Sequence, residues 1–375
     1  MKIKDNLEKL YIEPTSKCNL ACTMCFRNTW IDEALADMDV SVFDKAFESM
    51  PDSVETTFFG GMGEPLSHKD IVYMVKKASL KCANVELLTN GTLLTQQMSA
   101  SLLDAGLTKL WVSIDSLDAV GYEEIRKKSD FGLITKNIKQ FNIERSRRDY
   151  HDGFTKLGIT FVAMKSNVSM LTNLSKFAWD YNVNEVNISN AIPTDAESQK
   201  ESLYNRVVNC DLGADKSFNS YPVINLPYMD YKIPEVREGM SGLLKDDCNL
   251  IIGGVPLARR KGYCKFIEEN VSFVRHDGDV SPCMALLHSA ETFLEGNKRV
   301  VYHHSFGNVN DTSLSEIWDS EDYKDFRDRV RNFSFSPCIH CGGCENRDTN
   351  EIDCVGNLIP TCGACLWSEG IISCP

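Results

Sequence analysis

The chain has 375 residues, of which 40 are basic and 53 acidic, for a net charge of -13. Its mean field repels a phosphate backbone, which excludes nucleic acid as a main partner. The opening Met1-Lys2-Ile3-Lys4-Asp5-Asn6 lacks the apolar core of a signal peptide, and no apolar run approaches the ~20 residues of a membrane span, so a cytoplasmic protein without a membrane partner is expected.

A short apolar strand is predicted at residues 10–13. It leads into Thr15-Ser16-Lys17-Cys18-Asn19-Leu20-Ala21-Cys22-Thr23-Met24-Cys25-Phe26, where Cys18, Cys22 and Cys25 are spaced C-x3-C-x2-C. That spacing suits three corners of a 4Fe-4S cluster and leaves one iron free to hold a substrate or a small chelating cofactor. Zinc is the competing reading, but zinc normally takes four ligands and the next Cys or His is His68.

Up to about residue 190, β-rich runs alternate with amphipathic helical runs, the pattern of βα units and a parallel sheet. Further strands are predicted at 56–59, 84–88, 109–114, 158–163 and 185–189. The intervening helices start at Ser41, at Ser67 with Asp70 three residues on, and at Thr95, the last ending at Gly106. Six units make a partial barrel, because a complete eight-stranded one usually takes ~250 residues.

Phe59-Gly60-Gly61-Met62-Gly63-Glu64-Pro65-Leu66 follows the second strand, at the barrel face where parallel β/α folds place their chemistry. Thr89-Asn90-Gly91 ends the third strand. Ser113 and Asp115 end the fourth, and period-2 alternation puts both on one side, taken here as inward. A hydroxyl and a carboxylate there can pair with ribose hydroxyls; helix capping is the plain alternative. The sixth strand ends in Asn187-Ile188-Ser189-Asn190, at the same face.

Residues 191–235 lose the alternation and collect four prolines, so they are read as a bridge. The domains are accordingly 1–235, a barrel with its bridging segment, and 236–375, a cysteine-rich unit with strands near 271–274 and 279–281 and a helix at 315–330. Ten of the fifteen cysteines lie between Cys248 and Cys374. In a reducing compartment such clustering favours metal over disulfides.

Together the N-terminal motifs resemble those of the radical S-adenosylmethionine (SAM) superfamily. There the open iron is chelated by the amino and carboxylate groups of SAM, and one electron from the cluster yields methionine and a 5'-deoxyadenosyl radical, which takes a hydrogen atom from a substrate. The resemblance implies an α/β fold with a partial (β/α)6 barrel open on one side. It also implies cluster ligation by Cys18, Cys22 and Cys25, and a SAM pocket built from Gly60, Gly61, Gly63, Glu64, Asn90, Ser113 and Asp115.

Further on, Cys264-x13-Gly278-x4-Cys283 and Cys338-x2-Cys341-x2-Cys344-x9-Cys354 resemble the SPASM domain, which carries two auxiliary 4Fe-4S clusters. The second run departs from that domain's usual C-x2-C-x5-C-x3-C. The resemblance assigns Cys248, Cys264, Cys283 and Cys354 to one cluster, and Cys338, Cys341, Cys344 and one of Cys362 or Cys365 to the other. Cys374 is left as another corner or as a proton donor. A structural zinc module is the alternative for this region.

The tail, with Pro360-Thr361-Cys362-Gly363-Ala364-Cys365-Leu366-Trp367 and Cys374-Pro375, is similar to that of the radical SAM maturases of tungsten-cofactor oxidoreductases. That likeness implies a tungsten-containing aldehyde ferredoxin oxidoreductase or its cofactor as target, while the clusters themselves imply oxygen sensitivity and a ferredoxin or flavodoxin as reductant. Peptide or protein modification, the work of many SPASM proteins, is the alternative. Met284 stands where sulfatase-maturing relatives place an acidic base. A plain iron-sulfur electron carrier is a third reading, and the Gly60–Glu64 motif argues against it, since a carrier needs no SAM pocket. Candidates for proton transfer are His276, Asp277, His288, His303, His304, His340 and Asp353; Cys82, Cys210 and Trp367 are read as packing.

Overall fold

The computed structural model describes residues 5–31, 33–148, 155–204, 233–236, 238, 249–252, 264–294, 296–336, 345–368 and 370–375. Cys210, Cys248, Cys338, His340, Cys341, Cys344 and most of the bridging segment lie outside these residues.

Nine strands form one sheet: β1 (Lys9–Ile12), β2 (Thr56–Phe59), β3 (Asn84–Thr89), β4 (Lys109–Ser113), β5 (Lys156–Ala163), β6 (Glu185–Asn190), β7 (Asn249–Ile252), β8 (Val271–Val274) and β9 (Val280–Ser281). Their order is β9-β8-β1-β2-β3-β4-β5-β6-β7, parallel throughout except for the β8–β9 pair. The first six are the strands expected from sequence, each displaced by two residues at most.

Helices α1 (Val40–Glu48), α2 (Ile71–Ser79), α3 (Gln96–Asp104), α4 (Ala119–Ile125), α5 (Phe131–Arg148) and α6 (Leu174–Asp180) supply the crossovers. Their caps explain their limits. Asp39, two residues before the expected Ser41, accepts from Ser41 N at 2.8 Å. Thr95 accepts from Met98 N at 3.1 Å, and Gly106 at φ +95° turns the chain out after α3. Ser67 instead closes a 3-10 turn, Pro65–Ser67.

Alternation along the strands separates two cores. Leu10, Ile12, Phe59, Leu87, Leu110, Val112 and Ile159 face the helices. Tyr11, Phe58 and Trp111 face the other way and pack with Phe266, Phe273, Met284 and Leu286. The expected helix at 315–330 is two, α7 (Leu314–Asp319) and α8 (Glu321–Arg331), because Ser320 adopts an extended ψ of 149° and its hydroxyl accepts from Tyr323 N at 3.4 Å. No described helix is long and apolar enough to cross a membrane.

Candidate active site

A cavity of about 270 Å³ lies at the C-terminal ends of the parallel strands. The loop after β1 brings Cys18, Cys22 and Cys25 to its wall, and Gly61, Gly63, Glu64, Asn90 and Ser113 line it as well. Two loops are stitched together there. Glu64 N donates to Lys17 O at 2.8 Å, and a Cβ on Gly63 would sit 2.0 Å from Thr15 O, so only glycine permits the approach. The Glu64 carboxylate is buried, which raises its pKa, and it accepts from Leu66 N, Thr89 Oγ1 and Asn90 N at 3.0, 2.6 and 2.7 Å.

Two residues of the expected SAM pocket do not line the cavity. Gly60 packs on the Phe58 ring, where a Cβ would stand 2.4 Å from Cε1. Asp115 is fully buried; its carboxylate accepts from Arg126 Nε and Nη2, each at 2.6 Å, and from Val162 N at 2.8 Å. The strand ends at Ser113, so alternation carries no further, and Asp115 serves to aim Arg126.

Arg126 is the residue sequence reasoning missed. It lines the cavity with Nη1 4.0 Å from Cys22 Sγ, because Arg126–Lys127 pairs antiparallel with Ala21–Cys22. Cys18 Sγ accepts from Leu20 N at 3.4 Å and has Asn90 Nδ2 at 3.8 Å. Burial pushes the Cys22 thiol up to about 11 and raises that of Cys25. Partly buried thiols met by N–H donors and a guanidinium fit an iron-sulfur cluster: its iron ions would supply the positive charge the thiolates need, and the donors would offset the net negative charge of the ligated cluster.

In the cysteine-rich region Cys248, Cys338, Cys341 and Cys344 lie outside the described residues, and the described cysteines pack as follows. Cys264, Cys283, Cys362 and Cys365 are all buried in one cluster of side chains. Burial pushes the Cys264 thiol up to about 12, with neighbouring Cys365 adding to it, and raises those of Cys283, Cys362 and Cys365. Cys354, expected beside Cys264 and Cys283, is exposed; its Sγ lies 3.1 Å from Ser336 Oγ on a turn held by Asp353. The 3-10 turn Thr361–Ala364 makes the difference. Gly363 sits so close to Ser336 O that a Cβ would stand 2.0 Å away, and Ser368 Oγ donates to the carbonyls of Cys362 and Cys365. Among the described residues, no three His, Cys, Asp or Glu side chains converge on one metal position. A 4Fe-4S cluster, with each thiolate on its own iron, asks for a wider set.

None of the six described proton-transfer candidates lines the cavity. His303 bridges Leu286 O and Asp279, His304 packs on Phe306, Asp277 pairs with Arg275, and Asp353 holds its turn. His276 and His288 clasp the buried Glu13, with His288 Nε2 at 2.9 Å and His276 Nδ1 at 3.2 Å. His288 Nδ1 also bonds Glu33, and Trp30 stacks on its ring at 3.8 Å. This clasp joins the end of β1 to the turn between β8 and β9, through His276, and to the segment after β9, through His288. Glu13 Oε1 also accepts from Met62 N in the glycine loop at 3.3 Å.

Burial opposes both charges, yet the mutual hydrogen bonds prevail: Glu13 is held down at about 2 and His288 is raised above its ordinary value. The His288 contribution is therefore complete below 6.5 and fades as pH rises through its raised pKa, while that of Glu13 is present above 4.5 and fades as pH falls toward 2. Removing one partner of a fully buried pair costs about 3 to 5 kcal/mol, the loss expected for His288→Ala in denaturant unfolding near pH 6. The deficit should shrink in alkaline buffer; a pH-independent deficit would mean the clasp is not ionic.

A model of the radical SAM superfamily matches residues 12–161. A model of SPASM, an iron-sulfur cluster-binding domain, matches residues 264–345. The tungsten-containing aldehyde ferredoxin oxidoreductase cofactor-modifying protein of Pyrococcus furiosus is 30% identical over 388 residues, 98% of this chain and 97% of that one. Among solved structures, native anSMEcpe with bound AdoMet is 17% identical and has a TM-score of 0.60 over 97% of this chain and 95% of that one. Streptococcus suis SuiB bound to S-adenosylmethionine, 16% identical, also gives 0.60, over 90% and 71%. These two establish likeness of fold. With a relative matched end to end and both family models on the expected segments, this chain belongs to the radical SAM/SPASM enzymes, whose cofactors are 4Fe-4S clusters and SAM.

Proposed function

We propose that this enzyme matures a tungsten-pterin oxidoreductase, or its cofactor, by radical SAM chemistry, with Cys18, Cys22 and Cys25 holding the SAM-binding cluster. The observation that carries the reading is the end-to-end likeness to a cofactor-modifying protein, joined to a cavity on which the three cysteines and the glycine loop converge. When bound, the open cluster and SAM supply a carbon-centred radical that takes a hydrogen atom from a substrate.

The chain's own residues have the positioning roles. Glu64 offers its carboxylate to the SAM ammonium, and Gly63 lets the two loops close on it. Ser113, its hydroxyl 3.2 Å from Thr160 Oγ1, presents a hydroxyl to the ribose. Arg126, aimed by Asp115, offsets cluster charge beside Cys22.

For the auxiliary clusters we propose Cys264, Cys283, Cys362 and Cys365 as one ligand set. Cys354, beside Ser336 at the edge of the segment bearing Cys338, Cys341 and Cys344, goes with the second. A ferredoxin or flavodoxin in the cytoplasm is the reductant. Met284, the residue after Cys283, lines the cavity and carries no base, which weighs against sulfatase-type peptide chemistry.

Deleting the protein in its host is expected to leave the oxidoreductase polypeptide present but several-fold less active, with an altered cofactor mass. Normal specific activity and normal cofactor mass would reject the maturase reading in favour of peptide modification.

A further inference from the structure

The segment from Ile371 to Pro375 runs into the active-site cavity and is fixed there on both sides. Asn190 Nδ2 donates to Ile371 O at 3.0 Å. Ser373 N donates to Ser189 Oγ at 2.9 Å, and Ser373 Oγ donates to Asn187 Oδ1 at 3.0 Å. Beyond them, Lys265 Nζ donates to Cys374 O at 2.9 Å and the Tyr11 hydroxyl donates to Pro375 O. Seven residues upstream, Trp367 Nε1 donates to Cys374 Sγ at 3.5 Å. With main chain and sulfur both held, the Cys374 side chain lines the same cavity as Cys18, Cys22 and Cys25. It is partly buried and packs against the side-chain cluster that holds Cys264, Cys283, Cys362 and Cys365, without being one of that cluster's buried members.

A second feature marks this end of the cavity as built for a ligand. Asn190 is 4% exposed and lines the cavity, and its Oδ1 has no hydrogen-bond partner among the described residues. A buried amide oxygen left in that state costs free energy unless a ligand bearing an N–H or O–H supplies the donor.

Resting on the radical SAM reading above, we propose that Cys374 is a catalytic residue, the hydrogen-atom donor to a carbon radical on the ligand at this end of the cavity. The sulfur accepts from the indole N–H and keeps its own hydrogen for the cavity. In the step the S–H bond breaks and a C–H bond forms, leaving a thiyl radical on Cys374. One electron from a reduced ferredoxin- or flavodoxin-class donor and one proton from solvent restore the thiol. An S–H bond is weaker than an alkyl C–H bond, so the transfer runs downhill, whereas the stronger O–H of serine makes it uphill.

The test uses the reconstituted holoenzyme with SAM and dithionite in D2O and no added substrate. The 5'-deoxyadenosine formed should carry one deuterium taken from the exchanged thiol. Cys374→Ala and Cys374→Ser should lower that labelling at least fivefold while iron per chain stays unchanged. Independently, iodoacetamide should alkylate Cys374, and SAM should slow that reaction several-fold. Labelling that survives in Cys374→Ala, an alkylation rate indifferent to SAM, or loss of one cluster's iron in the variants would each overturn the proposal. Unlabelled 5'-deoxyadenosine from the wild type would overturn it alone; no 5'-deoxyadenosine at all would take the radical SAM reading with it.

Discussion

A variant with Cys18, Cys22 and Cys25 all replaced by alanine is expected to keep about eight of about twelve irons per chain and to cleave no SAM. The three thiols stand on one loop that is fastened elsewhere. Ser16 N donates to Ala36 O at 2.9 Å, Glu64 N to Lys17 O, and Thr23 N to Ile125 O at 2.9 Å. The backbone should therefore persist without them. Because these thiols are only partly exposed, alanine leaves small gaps at a cavity wall and not in the main core. The variant should thus remain folded by circular dichroism, with its loss confined to the cluster. Retained SAM cleavage under dithionite would remove the assignment of the triplet.

The second large effect concerns the cysteine-rich region. Cys264→Ala or Cys365→Ala, made in the triple-alanine background, should remove about four further irons, whereas Cys354→Ala should leave those four in place. Mössbauer spectra and metal analysis separate the outcomes. If Cys354→Ala and Cys264→Ala strip the same cluster, the grouping of Cys362 and Cys365 with Cys264 and Cys283 is wrong for the loaded protein. Zinc in place of iron would replace the auxiliary clusters with a structural zinc module.

What the sequence disclosed depended on distance along the chain. The six barrel strands were legible because runs such as Leu87-Leu88 and Trp111-Val112 bear their period locally, and Thr95 and Gly106 mark one helix with their own backbone chemistry. The cysteine loop and the glycine loop could be read because their spacing is local too. Asp115 misled because alternation was extended past the strand end. Arg126 gave no signal: its place is set by a two-residue pairing with a segment 104 residues away. The partners of Cys264 and the clasp of His288 on Glu13, 275 residues apart, arise from packing between remote segments, which spacing does not encode. The same holds for β8, recognisable as a strand at 271–274 while its parallel neighbour in the sheet was not.

That neighbour is β1, and the pairing has a consequence for recombination between relatives. Val271–Val274 runs in register along Lys9–Ile12, and Leu10 and Ile12 are wholly buried behind the junction. A chain severed in the bridging segment would present the N–H and C=O groups of β1 as a bare, apolar edge, a template for self-association. A graft that exchanges the cysteine-rich region for another therefore has to deliver a strand whose side chains fit β1 as well as Tyr11 on Phe273 at 4.5 Å does. The heritable unit is the strand pair, and a crossover that brings in a strand ill-fitted to β1 should yield a self-associating chimera even when every cysteine is retained.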